Sequence, residues 1–141
     1  MGTINMAKVV VGGLLAGLVI NVSEFLLNGV VFAEDIRAAM EALGKSPEMG
    51  TQQTAVWIVY GFVLGILAVW VYAAVRPRFG AGPKTAAMAG VVVWALAYLL
   101  PSVGYWNMGL FPVNFLVISC VWGLVELVVA TVAGAWAYKE S

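Results

Sequence analysis

The chain has 141 residues, of which 63% are hydrophobic and only 10% charged, with seven basic against seven acidic side chains and no histidine. A soluble domain is nearer a quarter charged, so this composition excludes a water-facing surface over most of the molecule. A net charge of zero without any basic and aromatic stripe excludes nucleic acid as a partner. Four spans of about 20 residues with short connections use nearly the whole length, which predicts one integral membrane domain over residues 1–141 with the lipid bilayer as its main partner.

The first apolar segment runs from Lys8 to Ala33. Its end, "VFA" at Val31 to Ala33 ahead of Glu34, imitates a cleavage site, but the apolar run exceeds the 7–15 residues typical of a signal's hydrophobic region. It is expected to be retained as a span. Gly13 and Gly17 stand at GxxxG spacing, suited to close helix packing. Asn21, Glu24 and Asn28 follow at i, i+3 and i+7, so on a helix they form one polar stripe.

In the connection "EDIRAAMEALG" the apolar Ile36, Met40 and Leu43 recur at i, i+4 and i+7 among charged residues. This predicts a short amphipathic helix over residues 34–43 lying on the membrane surface, capped by Gly44 and followed by Pro47. The second span is expected from Thr54 to Val75, with a second GxxxG pair at Gly61 and Gly65. The loop "RPRFGAGPK" shares only its glycines with a phosphate loop and reads as a turn.

The third span is expected from Ala86 to Gly104, with Pro101 bending or ending it. The uncharged "SVGYWNMGLFP" then serves as a connection whose Tyr105, Trp106 and Phe111 suit the headgroup level. Trp57, Trp70, Trp94 and Trp136 fall near span ends or in the upper third, and most are read as belt residues. The last span runs from Pro112 to Tyr138 and holds the lone Cys120, a small buried hydrophobe with no intrachain partner. Its Gly123 and Ala130 align with Gly61 and Ala68 of the second span, a faint likeness in which Glu126 matches Leu64.

Basic residues set the expected orientation. Lys8, Arg76, Arg78, Lys84 and Lys139 fall on one side and Arg37 and Lys45 on the other, which puts both termini in the cytoplasm. Only two charged residues lie deep in the spans, Glu24 and Glu126. Glu24 is roughly 24 Å along its helix from Lys8 and Glu126 roughly 20 Å from Lys139, so in an up-down-up-down bundle the two are level. On the last span, Ser119, Gly123 and Glu126 make a stripe that can face that of Asn21, Glu24 and Asn28.

Ionised carboxylates in lipid are costly, and no basic side chain is near enough in the sequence to neutralise them. Three readings are open: polar residues that only hold helices together, a pair that cycles protons to drive a solute, and an oxygen site for a hard cation. Glu24, Glu126, Asn21, Asn28 and Ser119 are the candidate binding or proton-linked residues. Without histidine, and with no nucleophile beside a base, no catalytic residue, metal site or cofactor is expected, and the protein reads as non-enzymatic.

The Gly-rich first span ending in "NGVVFAED", the surface helix "AAMEALG" and the last span "VNFLVISCVWGLVELVVATVAGAWA" together resemble a group of small four-span bacterial membrane proteins with a domain-of-unknown-function label. The resemblance implies a bacterial inner-membrane location and no particular chemistry. The expected protein is an all-α four-helix bundle, a monomer, homodimer or part of a larger membrane complex. Its function is either proton-coupled binding or transport of a small solute, or that of a non-catalytic accessory subunit.

Overall fold

The computed structural model describes residues 3–138; Lys139, one of the five residues behind the orientation above, lies outside them. Four helical spans cover Met6–Val31, Thr51–Phe79, Pro83–Met108 and Val113–Ala137, each long and apolar enough to cross a membrane. Within them, α1 is Met6–Leu26, α3 Thr51–Phe79, α4 Pro83–Trp94, α5 Leu100–Met108 and α6 Val113–Ala137, while α2, Ala33–Ala42, joins the first two spans. The all-α four-helix bundle expected from the pattern is the observed fold.

Local chemistry sets the helix ends. The Asn5 side chain accepts from the Lys8 amide at 3.1 Å, satisfying one of the donors left free in the first turn of α1. Pro83 opens α4, where a missing amide hydrogen costs nothing. Gly109, at φ 68°, closes α5 in the left-handed conformation.

Pro101 does not end the third span, and the supposed connection "SVGYWNM" is helix as far as Met108. Proline brings no amide hydrogen and its ring crowds the carbonyl four residues back, so the strain must be absorbed nearby. The helix widens into a π-turn over Ala95–Leu99, where the Leu100 amide donates to the Ala95 carbonyl. A second wide turn, Leu27–Val31, ends the first span, and there the Phe32 amide donates to Leu27 O at 2.7 Å.

The first span packs against the second and fourth, and the third against the fourth. With lipid outside, apolar burial contributes little between spans and close backbone approach matters more. At Gly65 a methyl group would meet the Gly17 amide nitrogen and lie 2.6 Å from the Gly13 carbonyl oxygen. Both GxxxG pairs are thus engaged within the chain. Each hairpin also uses one glycine to admit a polar side chain: Gly61 faces the Asn21 amide and Gly123 faces the Tyr98 ring.

Burial is uneven along the bundle. The half nearer the termini is tightly filled by Ala16, Ile20, Ala68, Val69, Leu127 and Ala130. At that end Tyr72 Oη accepts from the Gly82 amide, Tyr138 Oη accepts from the Asn5 amide, and the Arg76 guanidinium lies over the Tyr138 ring. The far half is looser, and all of residues 51–60 on the second span are exposed. There α2 buries no residue, and its Ile36 and Met40 are half-buried.

Candidate functional site

The boundary between the filled and the loose half is where the polar residues meet. Tyr98, carried by the wide turn of the third span, places its hydroxyl 2.8 Å from Glu24 Oε1 and 2.6 Å from Glu126 Oε1. A phenol has one hydrogen, so it can donate in only one of these contacts. The other contact is a hydrogen bond only when its carboxyl carries a proton and donates. The phenol thus bridges the two carboxyls.

Further donors complete the cluster. Ser23 Oγ donates to Glu126 Oε2 at 2.6 Å and itself accepts from Trp122 Nε1 at 2.8 Å. Asn28, on the wide turn of the first span, donates from Nδ2 to Glu24 Oε2 at 2.7 Å. The chain of contacts runs from exposed Asn28 through half-buried Glu24 and Tyr98 to Glu126, which is 4% exposed. It stops there. Towards the termini the next buried residues are Ile20, Leu127 and Ala130, and the Thr131 hydroxyl is turned back to its own helix, donating to Leu127 O at 2.6 Å.

Of the candidates named from sequence, Glu24, Glu126 and Asn28 converge here. Asn21 does not: it donates to the Ile58 carbonyl of the second span at 3.2 Å, over the space left by Gly61. Ser119 hydrogen-bonds neither carboxyl, and Ser23 takes the hydroxyl position assigned to it. Sequence reasoning also passed over Tyr98 and Trp122. A tyrosine well inside an apolar span was the available signal, since its hydroxyl must find a partner there.

Trp94 is one tryptophan with a partner inside the bundle: its Nε1 donates to the Cys120 carbonyl at 2.8 Å. Around the cluster, titratable groups come from α1 (Glu24), from the third span (Tyr98) and from α6 (Glu126 and Cys120), and the basic residues of the described chain sit at the span ends or in connections. No three His, Cys, Asp or Glu side chains converge among the described residues.

Fold and site together define a multi-pass membrane protein with a hydrogen-bonded carboxyl pair in the bundle. No family model, no curated protein and no solved structure matches the chain.

Proposed function

We propose that this protein is a non-enzymatic, proton-linked membrane bundle that binds or moves a small solute, using Glu24 and Glu126 as exchanging acids and Tyr98 as the link between them. The observation that carries this reading is the single Tyr98 hydroxyl within hydrogen-bond reach of both carboxyls. Such a triad holds a proton that can change partners with little movement of heavy atoms, and an intramembrane acid is by default a functional suspect. The apolar packing below Glu126 supports a state open towards the far end and closed towards the termini. In this reading the protein lies in a bacterial inner membrane with both termini cytoplasmic, and acts alone or as a homodimer.

The test is infrared difference spectroscopy on protein reconstituted in lipid, recorded on stepping the pH. A protonated-carboxyl band that titrates, disappears in Glu126→Gln and shifts in Tyr98→Phe is expected. No titrating carboxyl band between acid and alkaline limits would sink the proposal.

A second reading has its own support: each side chain of the cluster has a partner, as in polar residues that only join helices. An accessory subunit of this kind would show the same band without proton flux across liposomes.

A further inference from the structure

Trp122 stands one turn before Glu126 on α6, and its Nε1 donates to Ser23 Oγ at 2.8 Å, which in turn lies 2.6 Å from Glu126 Oε2. An indole N–H only donates, so it takes a lone pair of the serine oxygen, whereas a hydroxyl by itself can donate or accept. With the indole seated, the Ser23 hydrogen has its acceptor in Glu126 Oε2, and turning it elsewhere would leave a donor without a partner in the bundle. Donation into Oγ also polarises its O–H and strengthens the bond that it makes.

We propose that Trp122 is a positioning residue for the carboxyl pair: acting through Ser23, it keeps Glu126 Oε2 an acceptor and so confines the exchangeable proton of Glu126 to Oε1, the oxygen that faces Tyr98. This rests on the reading of Glu24 and Glu126 as exchanging acids. Asn28 does the same on the other side, its Nδ2 donating to Glu24 Oε2 at 2.7 Å. Both outer oxygens are then engaged as acceptors, and both inner ones meet a single phenol.

Two contacts to Tyr98 need two hydrogens, and the phenol brings one. One carboxyl proton supplies the second. With none, one contact sets lone pair against lone pair; with two, one hydrogen is left over. The exchange of that one proton is balanced. As the Glu24 Oε1–H bond breaks and its proton joins Tyr98 Oη, the phenol's own hydrogen passes to Glu126 Oε1, which leaves the phenol neutral and the negative charge on Glu24. A proton on Glu126 Oε2 would point at Ser23, away from this line, and the exchange would stop. An indole that only joined α1 to α6 could end on any acceptor, as that of Trp94 ends on the Cys120 carbonyl. Trp122 instead ends on a hydroxyl that itself bonds a carboxyl.

The test is infrared difference spectroscopy of the full chain in lipid on a pH step, reading the protonated-carboxyl band that Glu126→Gln removes. Trp122→Phe keeps an aromatic ring and removes the N–H. It is expected to broaden or split the band and move it to higher wavenumber, as Ser23 loses its fixed direction and the Glu126 carbonyl its steady donor. In a Ser23→Ala background, where that donor is already gone, Trp122→Phe moves the band no further. Ser23→Thr, which keeps a hydroxyl, retains the band position of the unaltered protein. Where phenylalanine prevents folding, 3-benzothienylalanine in place of Trp122 has the same shape with sulfur for the N–H and gives the same readout.

A role in packing alone would lower the melting temperature and leave the band in place. A titrating band unmoved by the loss of the N–H, or moved equally with and without the Ser23 hydroxyl, would overturn the proposal and leave the proton-linked reading standing. Absence of any titrating band would sink both.

Discussion

Tyr98 Oη and Glu126 Oε1, on adjacent spans and 28 positions apart in sequence, approach to 2.6 Å, and the same hydroxyl reaches Glu24 on the first span at 2.8 Å. One side chain thus ties three of the four spans at a single level. Tyr98→Phe keeps the ring that packs on Gly123 and removes only the bridge. It should destabilise the bundle in detergent by about 1–3 kcal/mol, because two carboxyls lose a shared partner. An unchanged melting temperature would show that the hydroxyl joins nothing.

The two acids should behave as one unit. In thermal melts of Glu24→Gln, Glu126→Gln and the double variant, the interaction energy is expected at about 0.5–3 kcal/mol, the range for residues in one network. Simple additivity would contradict the proposed exchange of a proton between them.

Two serines separate the observed site from the expected one. Ser23→Ala removes the donor to Glu126 Oε2 and the acceptor of the Trp122 indole, and should change both stability and the carboxyl band. Ser119→Ala should change neither, since Ser119 hydrogen-bonds neither carboxyl. Tryptophan fluorescence reports the Trp122 environment independently, and only the Ser23 variant should shift it.

Glycine substitutions test whether packing positions the site. A methyl group at Gly123 would lie 2.8 Å from Tyr98 Cδ1, and at Gly65 it would press on the backbone of the first span. Overpacking of this kind costs about 1–3 kcal/mol. Gly65→Ala should separate the first two spans and lower the melting temperature more, because backbone yields less than a ring. Gly123→Ala should instead displace Tyr98 and alter the carboxyl band. Gly104→Ala, with open space around it, is the neutral control.

Membrane orientation is testable by labelling. In a Cys120→Ser background, a cysteine at Ala81 should react from the cytoplasmic side and one at Gly44 from the opposite side if the orientation follows the bias of basic residues in the connections. Both reacting from one side would refute the bundle's topology in the membrane; exchanged sides would refute only the orientation.

Much of this architecture was legible in the sequence because lipid imposes simple conditions. A span must be apolar for about 20 residues and must satisfy its own backbone, so composition and length alone were enough for four helices, and the charge pattern marked α2 as a surface helix. Glu24 and Glu126 stood out for the same reason, as costly residues in such a setting.

What the sequence left open depended on rotation and on neighbours. The stripe of Asn21, Glu24 and Asn28 is continuous along one helix, yet Asn21 turns to the second span because Gly61 leaves room there. Pro101 has the chemistry of a stop, but the wide turn before it absorbs the missing donor, lets the helix continue to Met108 and carries Tyr98 into the bundle. Tyrosine is ordinary in a membrane helix until two carboxyls from other spans close on its hydroxyl. The sequence by itself determined the spans and their acids through the cost of polar groups in lipid; only the packing of backbone against backbone decided which acids, which serine and which tyrosine meet.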